Sequence, residues 1–313
     1  MGGRIDARLL VSREATFIAA LRAIAPHALL HPGARGLADD AAMLEFGGET
    51  LILTHDMMVE GVHWLAGQDP ADVAWKLVAV NLSDLAAKGA EPIGVLLGYT
   101  LGPDDARFLV GLAEALAEFQ VPLLGGDTVS APTGSARAIG LTALGRATCS
   151  PVPSRSGARP GDAVWVTGPL GGAMMGFEAL RDGASGVDTR AFRRPRPQLV
   201  QGRALAPLVS AMMDVSDGLL LDASRMAEAS GVTFALDSSA IPLAPGVAEA
   251  RRHDALTWGD DYQLLFTCPS ARALPAVLPA PVRIGTVAAP GPHPVLLDGM
   301  VPAGRLGFQH GST

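Results

Sequence analysis

Ser150 to Gly161 reads SPVPSRSGARPG, a run dominated by proline, glycine and serine. Proline removes a backbone donor and fixes φ, while glycine and serine favour turns, so neither a helix interior nor a central strand can be built there. The run falls close to the middle of a 313-residue chain. That length is long for one core and comfortable for two. Two units are expected, residues 1–149 and 150–313, each around its own core. A 49% hydrophobic and 18% charged composition supplies material for both and argues against wholesale disorder.

Within the first unit, Ser12 to Leu30 has Phe17, Ile18, Leu21 and Ile24 at helical spacing. Met43–Phe46 and Thr50–Thr54 read as strands joined at Gly47-Gly48. Pro70 to Lys88 is a strong helix, with proline at its start and Gly89 just past its end. Ile93–Leu101 is a buried strand and Asp104–Phe119 a helix; strands at Val121–Leu124 and Ala138–Leu144 complete the unit. The second unit alternates in the same way. Strands are expected at Ala163–Thr167, Ala211–Val215, Val232–Leu236, Gln263–Thr267 and Val282–Val287, with helices from Ala173 and over Gly218–Ala229. The class is α+β in both halves.

Net charge is −7, which lacks the basic footprint of a nucleic-acid binder and suits metal cations. Lys76 and Lys88 are the only lysines, a bias read as compositional. Cys149 and Cys268 have no metal-ligand spacing and form no disulfide framework, so a reducing cytoplasm is expected. Met1–Leu10 lacks the apolar core of a signal peptide, and no run approaches the roughly 18 apolar residues of a membrane span.

The chemistry is carried by aspartates at the edges of these elements. They are Asp39-Asp40 in LADDAAML, Asp56 in LTHDMMVEGVHW, Asp84 in NLSDLAAKGA, Asp127 in LLGGDTVSAP, Asp214 and Asp217 in DVSDGLLLD, and Asp260-Asp261 in WGDDYQLLF. A single loop aspartate is more often a cap than a ligand. Several converging carboxylates repel one another unless a divalent cation binds them, and oxygen-only ligands suit Mg2+ or Mn2+ rather than Zn2+. Gly125-Gly126-Asp127 follows an apolar strand and is a candidate phosphate and metal turn. Gly168–Gly172 is a weaker anion-nest candidate, read more simply as a strand-to-helix turn. Neither lysine sits in a Walker A motif, and no protein-kinase signature or Ser-His-Asp arrangement is present.

Taken together, these motifs resemble the thiamine-monophosphate kinase family of the aminoimidazole ribonucleotide synthetase superfamily, from about Leu37 to Phe308. The specific pieces are Asp56–Trp64, Asn81–Pro92, Gly125–Thr128, Asp214–Leu219 and Gly259–Leu264. The resemblance implies a two-domain aminoimidazole ribonucleotide synthetase-like fold. An N-terminal α/β sheet domain would bind ATP and Mg2+ and mediate a homodimer, and a C-terminal α+β domain would complete the site. It implies Asp40, Thr54, Asp56, Asp84, Asp127, Asp214 and Asp217 around several Mg2+ ions. Gly126, Asp127, Arg155 and Ser216 would meet ATP phosphates, and His63, Asp260 and Phe308 would face thiamine monophosphate. Ala38, His55, Asp260 and Gln263 depart from the usual pattern of Gly, Thr or Ser, Glu and Glu.

The expected reaction is direct in-line transfer of the γ-phosphoryl of ATP to thiamine monophosphate. A phosphate monoester has a second pKa of about 6, so the acceptor is already anionic and no general base is needed. Two alternatives stand beside it. One is another ATP-using enzyme of the superfamily, and selenophosphate synthetase among these is disfavoured because no cysteine precedes Cys149. The other is a nucleotide-binding scaffold without turnover.

Overall fold

A computed structural model describes residues 13–24, 31–276 and 279–310. The readings made for Met1–Leu10 and for the opening helix before Arg13 and beyond Ile24 lie outside these described residues.

The chain opens with helix α1 (Arg13–Ile24), then a hairpin of β1 (Ala42–Phe46) and β2 (Glu49–Val59) turning at Gly47-Gly48. Helix α2 (Pro70–Ala87) is started by Asp69, whose carboxylate accepts from the Ala71 amide, with Pro70 in the first turn. Strand β3 (Ala90–Thr100), helix α3 (Asp105–Glu118), and strands β4 (Leu123–Val129) and β5 (Ala138–Ala147) follow. These strands make one sheet in the order β1-β2-β5-β3-β4, antiparallel except for the β3–β4 pair. The strand expected at Val121–Leu124 starts two residues later and runs through Gly125-Gly126-Asp127. The turn read from those glycines is therefore edge strand, paired to β3.

In the second half come β6 (Asp162–Val166), helices α4 (Gly172–Asp182), α5 (Arg190–Arg193) and α6 (Leu199–Leu205), β7 (Ala211–Asp214), α7 (Leu219–Ser230) and β8 (Thr233–Leu236). Helix α8 (Arg252–Trp258) and strands β9 (Leu264–Pro269), β10 (Val282–Ala288) and β11 (Val295–Leu297) finish it. The second sheet has the order β11-β8-β10-β6-β9-β7. Helix α8 and strand β11 had no counterpart in the sequence reading.

The residues from Val152 to Arg155 are clasped rather than free. The Arg35 guanidinium donates to the carbonyls of Pro153 (2.7 Å) and Val152 (3.0 Å), and Ser154 Oγ donates to Asp39 (2.9 Å).

Helix α2 decides where the site lies. Every residue from Ala71 to Ala87 is buried, because the helix is apolar nearly all round and is covered on both sides. One side meets β2, β5 and β3; the other meets α6 and β7 of the second half. Leu77, Leu82 and Leu85 are fully buried, each contributing about 2 kcal/mol. Its few polar residues sit in a buried seam between the two halves. No described helix is long and apolar enough to cross a membrane.

Candidate active site

Residues three, four or seven apart share a helix face, and α2 uses two such faces. Asn81, Asp84 and Lys88 look toward the first sheet. Asn81 Oδ1 accepts from the Asp56 amide at 2.9 Å, Asp84 accepts from the Thr54 hydroxyl, and Lys88 Nζ pairs with Asp39 and Asp40, both at 2.5 Å. Lys76 and Ser83 look toward the second half. Ser83 Oγ donates to Asp214 at 2.6 Å, and Lys76 Nζ pairs with Asp260 at 2.8 Å.

The outcome is a carboxylate cluster built from both halves. Oxygens of Asp40, Asp84 and Asp214 lie within 4.8 Å of one another. Burial, reinforced by Asp56, Asp214 and Asp40, pushes the Asp84 carboxyl well above its usual range. Burial and Asp40 push Asp214 up to about 8, although Ser83 opposes the shift. Burial raises Asp56 to about 6, with His55 opposing and the charges of Asp40 and Asp217 assisting. Such a group holds protons or a cation, since adjacent buried carboxylates cannot all ionise alone.

Asp39 and Asp40, adjacent in sequence, have separate tasks. Asp39 is fixed by Lys88, Arg35 and Ser154; burial would raise its pKa, yet Lys88 and then Arg35 hold it down at about 2. Asp40 faces the cluster, with one oxygen held by Arg155 at 2.6 Å. Its Oδ2 lies beside Lys88 but is buried without a hydrogen bond.

Asp217 lies beyond β7 and pairs with Arg225 at 2.5 Å. Its loop is shaped by Asp222 of α7, whose Oδ2 accepts from the amides of Ser216 (3.1 Å) and Asp217 (3.0 Å). Asp222 and Arg225 were not among the sequence candidates, although DVSDGLLLD contains the former. Phe308 closes over this loop, its amide donating to the Asp217 carbonyl at 2.8 Å.

His63, Asp260 and Phe308 occupy one end. The His63 ring lies 5.4 Å from that of His310, itself 4.9 Å from Phe308. His63 Nδ1 accepts from the Val59 amide, and burial, opposed by Asp260, holds the imidazole below its ordinary pKa. Asp260 is held by Lys76 and by the Tyr262 hydroxyl (2.8 Å). Lys76, Tyr262 and His310 were missed by the sequence reading.

Asp127 stands apart. It is exposed on edge strand β4, one residue beyond the strand row that contains Asp56, Leu141, Leu97 and Gly126. Three strand spacings of about 4.8 Å put that position roughly 14 Å from Asp56. At Gly126 a Cβ would lie 2.0 Å from the Leu97 carbonyl oxygen, so strand contact alone demands glycine there.

The departures are also placed. His55 points its ring at Thr142 (2.9 Å) on the open side of the sheet, away from Asn81 and α2. Gln263 accepts from Thr167 at 3.0 Å. The anion-nest candidate before α4 is filled from within: Asp261 accepts from the Gly171 amide at 2.9 Å, which leaves the plain turn reading in force.

Most of the chain is similar to known proteins. Residues 38–147 match the AIR synthase related protein, N-terminal domain, and residues 159–290 the corresponding C-terminal domain. A thiamine-monophosphate kinase of Caulobacter vibrioides is 41% identical over 263 residues, covering 76% of this chain and 74% of the relative. The Escherichia coli K12 thiamine-monophosphate kinase is 35% identical over 252 residues, covering 75% and 76%. The chain belongs to the thiamine-monophosphate kinase family. It is accordingly a phosphotransferase with two AIR-synthase-type domains. Among solved structures of the family, AaThiL complexed with AMPPCP and TMP superposes with a TM-score of 0.83 at 28% identity, over 98% of this chain and 99% of that one.

Proposed function

We propose that this chain transfers the γ-phosphoryl group of ATP to the phosphate of thiamine monophosphate, giving ADP and thiamine diphosphate by in-line displacement. One observation carries the reading: carboxylates of Asp40 and Asp84 from the first half and Asp214 from the second meet within 4.8 Å. Two anionic reactants need positive charge between them, and such a cluster is where a fold gathers it.

The donors fit Mg2+, being carboxylate oxygens only, gathered within 4.8 Å of one another. Asp40, Asp84 and Asp214 would hold it, with Thr54, Asp56 and Asp217 around them and Asp127 at the outer rim. Bound Mg2+ supplies positive charge that screens the reactants and stabilises the moving phosphoryl group. Arg155, already beside Asp40, together with Gly126, Asp127 and Ser216, is assigned to the ATP phosphates. His63, Asp260 and Phe308 orient the thiamine end. No residue is assigned as general base, because the acceptor oxygen is already anionic near neutral pH.

A homodimer through the open face of the first sheet belongs to the same proposal, as does a cytoplasmic location. On that face Met57, Leu96 and Leu124 are 56%, 40% and 52% exposed. The division of roles between residues 1–149 and 150–313 is part of it too.

The test follows both products. Purified protein with MgATP and thiamine monophosphate should release ADP and form thiamine diphosphate in equal amounts. Asp84→Asn should lower kcat by roughly 10²-fold or more while keeping a native circular dichroism spectrum. ADP release that ignores thiamine monophosphate would contradict the proposal and favour a nucleotide-binding scaffold.

A further inference from the structure

Lys76 is 1% exposed in the middle of α2, where an unpaired ammonium would be costly. Three partners from separate segments surround it. Its Nζ donates to the His63 carbonyl at 3.0 Å, pairs with Asp260 Oδ2 at 2.8 Å, and lies 4.0 Å from the centroid of the Phe192 ring. His63 belongs to the loop after β2, Asp260 to the loop after α8, and Phe192 to α5. The other Asp260 oxygen accepts from Tyr262 at 2.8 Å, and both Asp260 and Tyr262 have positive φ, 59° and 50°. Backbone held there by non-glycine residues persists only where surrounding contacts fix it. Asp260 is 24% exposed, so part of its carboxylate stays open while Lys76 and Tyr262 grip the rest.

We infer that Lys76 is a positioning residue that sets specificity for the acceptor. It joins the His63 loop to Asp260 across the two halves and partly neutralises the carboxylate the acceptor meets. The inference rests on the proposed reaction. A long ammonium side chain is what the geometry requires. One point charge on a flexible stem reaches a carbonyl, a carboxylate and a ring face from a helix between them. The Asp260 carboxylate suits a substrate with a cationic or hydrogen-donating ring, and the paired lysine keeps it from recruiting a free metal ion.

Steady-state kinetics of the full-length protein provide the test, with thiamine monophosphate and MgATP varied in turn. Lys76→Met preserves packing against Phe192 but removes the charge. The KM for thiamine monophosphate should rise about tenfold or more, while the KM for MgATP stays within about twofold. In a double-mutant cycle with Asp260→Asn, the combined loss should fall well short of the product of the single losses, because both changes break one contact. If Lys76→Met does not fold, Tyr262→Phe releases Asp260 from its other side without leaving a buried charge. It should raise the same KM alone, by about three- to tenfold. Equal changes in both KM values, multiplicative losses in the cycle, or an unchanged acceptor KM in the folded variants would overturn the inference. Wild-type protein that fails to phosphorylate thiamine monophosphate would instead overturn the proposed function.

Discussion

At the scale of single residues, the carboxylates around the cluster set a stability dependence with a definite sign. Asp214 is pushed up to about 8 and Asp56 to about 6 by burial and neighbouring charge. An unfolded aspartate titrates near 3.9, so between roughly pH 4 and 8 the folded protein binds more protons than the unfolded chain. The contribution of these two carboxylates to metal-free stability is therefore full below that window and is lost as pH rises through it. A divalent cation binds the ionised form and restores it. Thermal melts in EDTA should show a lower Tm at pH 8 than at pH 6, and the increase on adding Mg2+ should be larger at pH 8. For a chain of 313 residues roughly 1–2 °C per kcal/mol is expected. A Mg2+ shift of equal size at both pH values would contradict this. Asp40, Asp84 and Asp214 were picked out in the sequence as candidates because several of the aspartates follow apolar strands or are flanked by small residues. Their partners were not. Lys76 and Lys88, the only lysines, looked like compositional leftovers, yet both are buried and ion-paired on α2 and at its end. Nothing local marks a lysine whose carboxylate lies 184 residues away.

At the scale of elements, the loop from Val215 to Gly218 is held by close backbone-to-backbone approach as well as by the Asp222 carboxylate. The Asp260 amide donates to the Ser216 carbonyl at 2.8 Å, and a Cβ on Gly259 would stand 2.4 Å from that same oxygen. Gly259 also has φ 97°, which costs a side-chain-bearing residue about 1–3 kcal/mol. Gly259→Ala should lower the Tm by several degrees and reduce kcat, since Ser216 and Asp217 move with the loop. Gly48→Ala, at φ 85° with nothing within 4 Å of its new Cβ, carries backbone strain alone and should leave kcat unchanged. Differential scanning fluorimetry with parallel assays distinguishes the two. Wild-type kcat in Gly259→Ala would count against a loop held in this way. Long elements were read well because their periodicity and caps are local: α2 was placed to within a residue, and the β1–β2 hairpin to within a few. Short α8 and β11 were missed because seven and three residues carry little periodic signal. The GGD segment was taken for a turn because glycine marks both turns and close strand contact, and only the fold decides between them.

At the scale of the whole molecule, one fully buried helix between two sheets explains why the site cannot belong to either half alone. Helix α2 presents Asp84 to the first half, where Thr54 donates to it, and Ser83 to the second, where it donates to Asp214, so the Asp84 and Asp214 carboxylates come together beside the helix. The two halves were visible in the proline-rich run at 150–161, whereas its clasping by Arg35 and Asp39 depends on residues more than a hundred positions away. The central claim is that aspartates from both halves make one divalent-cation site. Calorimetric titration of Mn2+ into metal-free wild-type protein, Asp84→Asn, Asp214→Asn and the double variant tests it most directly. Each single change should weaken the same binding event by about tenfold or more, and the double variant should lose little beyond the worse single. Binding like wild type in both single variants, or separate events removed independently by each, would contradict a shared site.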